Sequence, residues 1–285
     1  MIQSMTGYGK SVIQLPSKKI TVEIKSLNSK NLDLNVRVPS SYREKELDMR
    51  NKLSSALTRG KVDFNLFIEI TGEATNTEVN ETVVKQYIKQ LAQVVDGDPV
   101  ELLKMAVRMP DALKTERDEI DEEEYKSILE AIHEALVGIN AYRSDEGRAL
   151  EADFVQRIRN ISALLKQIID MDGDRIENVR ERLRKAVSEL KEDVDENRFE
   201  QELIYYLEKY DITEEKVRLK NHLDYFTETI RSNDSNGKKL GFISQEIGRE
   251  INTIGSKANY APMQQLVVQM KDELEKIKEQ ALNVL

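Results

Sequence analysis

Hydrophobic residues recur along this chain at two different periods, and the change of period divides it. Residues 19–26 alternate Ile20, Val22 and Ile24 with polar neighbours, and Leu32, Leu34, Val36 and Val38 repeat the period of two. A third alternating run, Val62, Phe64, Leu66, Ile68 and Ile70, follows a helical stretch over about residues 42–57, with Arg59, Gly60 and Lys61 forming the turn. Half-buried strands interrupted by a helix predict a small α+β sheet domain.

After Thr71 the strand signal fades. Helices are predicted over about 80–95, from an acid-rich stretch at 118–124 to about Val137, and over 199–210, 213–232, 239–253 and 263–282. In the middle, Leu150, Phe154, Ile158, Ile161, Leu165 and Ile168 step by threes and fours, as do Ile176, Val179, Leu183, Val187, Leu190 and Val194. Those stripes, separated by Asp172, Gly173 and Asp174, predict a long antiparallel helical hairpin of coiled-coil character. The expected fold class is therefore α+β: a small N-terminal sheet-and-helix domain at 1–155, a hairpin connector at 156–198, and a helical C-terminal domain at 199–285. Residues 233–237 read as a loop, and Thr213 as a helix cap.

Composition narrows the chemistry. The chain has no cysteine, which excludes disulfides, thiolate ligands and cysteine nucleophiles, and only two histidines, His133 and His222. Any metal site must be mainly oxygen-liganded, which favours Mg or Mn. No apolar run reaches the length of a membrane span and the first ten residues lack the order of a secretory signal, so the expected location is cytoplasmic. The net charge of −9 argues against indiscriminate nucleic-acid binding, but its distribution is uneven. Residues 1–70 hold 12 Lys and Arg against 7 Asp and Glu, which leaves −14 for the remainder. A basic N-terminal part could hold a polyanion while the acidic part does metal chemistry.

The densest polar stretch is QEIGREINTIGSK, residues 245–257. On a helix, Glu246 and Glu250 stand one turn apart with Arg249 beside them, and two parallel carboxylates can share a divalent cation while a guanidinium holds a phosphate oxygen. Residues 211–215 open a second polar helix in which Glu214, Arg218 and His222 share a face, with Glu215 slightly displaced. If the two helices pack together, His222, Glu246 and Glu250 could converge with Glu202, Glu214 or Glu215 around a metal, with Arg218 and Arg249 on the phosphate. The plainer reading is a solvated, salt-bridged face in which Glu214 and Arg218 form an i,i+4 pair. No P-loop, Rossmann fingerprint, HExxH or GxSxG element is present.

Several ordered blocks carry a family resemblance. They are Ser4-Met5-Thr6-Gly7-Tyr8-Gly9, residues 23–30 (EIKSLNSK), Arg59-Gly60-Lys61-Val62, Arg143 with Glu146, Gly147, Leu150 and Asp153, Gln201-Glu202, residues 211–222, and residues 245–257. In these the chain resembles the YicC/YloC family of bacterial endoribonucleases. The resemblance implies a mixed N-terminal domain, a helical C-terminal domain and assembly into a ring-like homo-oligomer, a hexamer. It also implies endonucleolytic cleavage of RNA assisted by a divalent metal, in RNA turnover or small-RNA regulation, and leaves room for RNA-degradation partners. One departure is Gly241, where the family more often has an aspartate, so no ligand role is carried over to that position.

Lys25, Asn28, Lys30, Arg59 and Lys61, at strand ends and turns of the basic part, fit phosphate contacts, and Lys257 joins them as an expected RNA contact. Gly7 and Gly9 admit either a close strand approach with Tyr8 packing or RNA contact. Two other classes compete with a metal-assisted endoribonuclease: a noncatalytic RNA-binding adaptor that recruits another nuclease, and a purely structural oligomer.

Overall fold

A computed structural model describes residues 2–71, 77–115, 120–189, 196–232 and 237–285. The loop read at 233–236, the opening of the acid run at 118–119, and Leu190 and Val194 of the second stripe lie outside the described residues. Four strands form the N-terminal sheet: β1 (Gly7–Gln14), β2 (Lys18–Leu27), β3 (Leu32–Arg37) and β4 (Gly60–Ile70). Their order is β1-β2-β4-β3, with β3 parallel to β4 and the other pairs antiparallel. Between β3 and β4 the expected single helix is a 3-10 turn, Ser40–Lys45, followed by α1 (Glu46–Ala56). Gly60 begins β4 at φ +123, a backbone region that favours glycine.

The alternating residues behave as their period demands. Ile20, Val22, Ile24, Val62, Phe64 and Leu66 are buried in one core with Met49 and Leu53 of α1 and with Ile128, Ile132 and Ile139 of α4 (Glu122–Asp170). Strand β1 was not legible in the pattern because, of its inward positions Gly7, Gly9, Ser11 and Ile13, only the last is aliphatic. Helix α4 crosses this strand so closely that a Cβ at Gly9 would lie 2.0 Å from the Ala135 carbonyl oxygen. The glycines of the SMTGYG block are thus a contact surface for a helix backbone. Beside them Arg143 is 2% exposed, donating to the Ser26 hydroxyl at 2.6 Å, and burial pushes its guanidinium below the ordinary arginine range.

Helix α4 is one continuous element of 49 residues, about 74 Å long, where two separate segments were expected. Its first half covers the sheet. Its second half places Phe154, Ile158, Ile161, Leu165 and Ile168 in a second core with α7 (Thr213–Arg231), α8 (Gly237–Lys257) and α9 (Ala261–Ala281). The boundary expected at residue 155 falls inside this helix. The stripe expected to pair with the following helix packs instead on α7 and α9, because α5 (Asp172–Glu189) starts after a one-residue break and leaves the bundle. Only Val179 of the second stripe's described residues is buried, and α5 packs lightly on α6 (Glu196–Lys209). Between β4 and α4 lies a small unit in which the helix expected over 80–95 is α2 (Glu81–Val94), joined by β5 (Thr77–Val79), α3 (Pro99–Ala106) and β6 (Leu113–Thr115), which the period did not announce.

The two ends of the chain close on each other. Ser4 bridges to Val284, the Met5 amide donates to the Asn283 carbonyl at 2.8 Å, and the Leu285 amide donates to the Gln3 carbonyl at 2.9 Å. Ile2 is buried in the C-terminal core. Among the described residues no helix is long and apolar enough to cross a membrane.

Candidate active site

Helix α7 begins where Asp211 turns the chain. Thr213, expected as the cap, is the first helical residue, and the Asp211 carboxylate accepts from its amide at 3.0 Å and its hydroxyl at 2.7 Å. The hydroxyl bond from Thr213 holds the Asp211 carboxyl below the usual aspartate range, against the opposing effect of partial desolvation. Helix α8 returns antiparallel, because Lys257 at its C-terminal end reaches the start of α7. The Lys257 ammonium donates to Glu215 Oε1 at 2.7 Å and to the Asp211 carbonyl at 2.9 Å.

That pair sets the register of the seam. Seven residues before Lys257 stands Glu250, and seven residues after Glu215 stands His222, so both lie two turns from the same contact and face the same level of the hairpin. Glu250 is 4% exposed, and among the described residues its carboxylate has neither a hydrogen bond nor an ion pair. His222 is half-buried. Among the described residues the fully enclosed side-chain oxygens without a partner are Glu215 Oε2 and Thr229 Oγ1 and do not include those of Glu250, so its carboxylate keeps contact with solvent while the rest of the side chain is buried.

The remaining candidates are distributed around this pair. Glu246, one turn from Glu250, is half-buried, and Arg249 beside it is exposed. Arg218 and Glu214 form an i,i+4 pair at 2.6 Å, with both side chains more than half exposed, so the plainer reading of that pair holds for its geometry. Glu202 is exposed on α6, which packs on α5 rather than on the α7–α8 seam. Among the described residues no three His, Asp or Glu side chains come together closely enough to hold a metal ion. The seam therefore unites Glu215 with Lys257 and leaves His222 and Glu250 each two turns from that contact on facing helices, but it does not gather Glu202, Glu214 and Glu246 into a metal cluster.

Lys257, expected to meet RNA, turns its charge inward. Sequence reading missed this because its partner lies 42 residues away across a hairpin. Glu215 is 5% exposed and its second oxygen, Oε2, has no partner, so Lys257 alone compensates it. The Lys257→Met variant is expected to lose about 1–3 kcal/mol of stability in urea unfolding, and Glu215→Met combined with it to recover most of that loss. Equal stability of Lys257→Met and parent would show that the pair does not pin the seam.

In the basic part, Lys25, Lys30 and Lys61 are exposed. Asn28 is tied to the C-terminal tail, its amide donating to the Leu282 carbonyl at 2.6 Å, and Arg59 Nε donates to the Ser29 carbonyl at 2.9 Å. The three lysines remain available to an anion, whereas Asn28 and Arg59 also shape the loop that carries Lys30.

Comparison with known proteins covers the chain almost end to end. A family model described as "Endoribonuclease YicC-like, N-terminal region" matches residues 2–152, and one described as "Endoribonuclease YicC-like, C-terminal" matches residues 168–285. A protein of Clostridioides difficile (strain 630) named "Probable endoribonuclease YicC" is 36% identical over 293 aligned residues, with 100% of both chains covered. A protein of the same name from Haemophilus influenzae is 30% identical over 290, again with 100% of both covered.

Proposed function

The chain belongs to the YicC-like endoribonuclease family, and from that premise we propose that it cleaves RNA phosphodiester bonds internally, with the His222–Glu250 level of the α7–α8 seam as its acid–base centre. The observation that carries this reading is Glu250, a residue 4% exposed whose carboxylate is unpaired among the described residues and which lies seven residues from the Lys257–Glu215 contact, as His222 does on the facing helix. A carboxylate beside an imidazole fixes the tautomer and orientation of the ring and lets it move a proton. One group of the pair removes the proton of the attacking oxygen as its bond to phosphorus forms. The bond from phosphorus to the leaving oxygen breaks, the 5′ oxygen when the ribose 2′ hydroxyl attacks and the 3′ oxygen when water attacks and frees a 3′ hydroxyl, and that oxygen leaves with a proton. Arg249 is exposed and can hold a nonbridging oxygen; Arg218 can do so by releasing Glu214.

A divalent cation, Mg or Mn, belongs to the same proposal. Such ions use one or two carboxylates and complete their shell with water and substrate phosphate, which Glu250 and Glu246, one turn apart, are placed to support. Bound there, the ion would neutralise charge developing on the phosphate. The exposed Glu202 and Glu214 would be open to a site shared with another copy of the chain, in keeping with the ring-like homo-oligomer that the family resemblance implies. The proposed setting is the cytoplasm, with RNA as substrate.

The test incubates purified protein with an end-labelled RNA, with and without Mg or Mn, beside Glu246→Ala, and maps the product ends. Cleavage that needs the cation and falls at least tenfold in Glu246→Ala is the expected result. A 2′,3′-cyclic phosphate identifies the ribose hydroxyl as nucleophile, and a 3′ hydroxyl identifies water. Binding without cleavage by the parent would replace the enzyme with an adaptor.

A further inference from the structure

The four-stranded sheet buries one face against α1 and α4 and leaves the other open. Reading across β1, β2, β4 and β3, the open rows are Tyr8, Lys25, Asp63 and Asn35, then Lys10, Glu23, Asn65 and Arg37, then Val12, Thr21 and Phe67. Tyr8 is 41% and Phe67 53% exposed, although aromatic side chains on a folded sheet ordinarily find cover. We infer that this open face is a docking surface for single-stranded RNA, with Tyr8 and Phe67 as stacking platforms for its bases. The inference rests on the RNA reading above and adds the place where the strand lies before it is cut.

Cations gather at the Tyr8 ring. Lys10 and Lys25 flank Tyr8, and the Lys25 ammonium sits 5.7 Å from the centre of its ring. The acids of the same face are engaged in part: Glu23 pairs with Lys10 at 3.1 Å and Lys25 at 3.9 Å and accepts from the Tyr8 hydroxyl, Asp63 accepts from the Asn35 amide at 2.9 Å, and Glu69 pairs with Lys19 at 3.8 Å. Arg37 and Lys61, on the neighbouring strands, form no ion pair within 4 Å among the described residues, although Asp33 stands opposite Lys61, and both cations can meet a phosphate. Tyr8 and Phe67 stand two strands and four residues apart, roughly 16 Å, a span that an extended strand crosses in a few nucleotides. Bases stack on isolated aromatic rings whatever their sequence, and cations between the rings hold the backbone. A second protein copy would need a continuous apolar patch; here Tyr8, Val12 and Phe67 are separated by polar and charged positions.

The experiment measures anisotropy of a labelled single-stranded RNA and of its duplex, at low salt, with parent, Tyr8→Ala, Phe67→Ala and Tyr8→Phe, and checks on a gel that the RNA stays intact. Each alanine variant should weaken single-strand binding about fivefold or more, Tyr8→Phe should remain within about twofold of parent, and the duplex should bind less tightly than the single strand. Urea midpoints should not move, since both rings are exposed. Parent-like affinity in both alanine variants overturns the inference and leaves the cleavage reading standing. A change in sedimentation of the alanine variants without loss of affinity assigns the face to a second copy and also overturns it. Loss of binding by the alanine variants upholds it even if no cleavage is seen, and a parent with no affinity for RNA overturns both readings.

Discussion

Replacing Glu250 with leucine is expected to stabilise the protein and to abolish RNA cleavage in the same variant. The residue is 4% exposed and, among the described residues, its carboxylate is unpaired, while its neighbours along the seam, Ile247, Ile251 and Ile254, belong to the bundle core. Exchanging a partly desolvated carboxylate at the edge of that core for an apolar side chain of similar size adds packing, for a gain of about 1 kcal/mol in urea unfolding. Loss of the group that orients His222 should lower cleavage by roughly 10²–10⁴-fold, the usual range for a positioned acid or base. Glu250→Gln, which keeps the shape, should lose cleavage with little change in stability. Glu215→Leu, one contact along the same seam, should instead destabilise, because it strands the Lys257 ammonium. The opposite signs at two buried glutamates separate a functional carboxylate from a structural one. A fall in stability for both Glu250 variants would mean that the side chain has a structural partner, and undiminished cleavage would remove it from the centre.

How much of this was legible beforehand depends on the range of each interaction. Strands β2 to β4 and helices α7 to α9 were readable because their apolar positions recur within the element itself. Strand β1 was hidden because close approach to α4 demanded small residues where the period-two pattern needs large ones. Of the unit between β4 and α4 only α2 was readable, because β5 and β6 are three residues long and the core of Val84, Ala106 and Ala112 is too small to impose a pattern on the rest. For the site, the sequence supplied the residue types and the helical faces but not the register. That His222 and Glu250 lie equally far from one cross-helix contact follows from the Lys257–Glu215 pair, which no spacing within either helix encodes. Thr213 and Asp211 show the same limit at short range, since either could cap the helix and only the turn geometry decides.

The largest loss of stability is expected from adding a single methyl group at Gly147 or Gly9. A Cβ at Gly147 would lie 2.0 Å from the Ile2 carbonyl oxygen and 2.7 Å from its carbon, and one at Gly9 would lie 2.0 Å from the Ala135 oxygen. All of these are backbone atoms, so no side-chain rotation relieves the clash and a whole segment must move. Gly9→Ala pushes β1 from α4 and opens the sheet core. Gly147→Ala lifts the N-terminal segment, and with it the Ser4 amide bond to the Arg143 carbonyl, the clasp on the C-terminal tail and the seat of Ile2 in the helical core. Each substitution should cost about 3 kcal/mol or more, measured as a fall in urea midpoint. The internal control is Gly241→Ala in α8, where nothing lies within 4 Å of the added carbon and the better helix former should gain about 0.5–1 kcal/mol. Gly147→Ala should also make the two cores unfold separately, because α4 would then be the main remaining tie between them. Its transition should split in two where the parent and Gly241→Ala unfold in one step; a single unshifted transition would show that the chain ends do not bind the halves together.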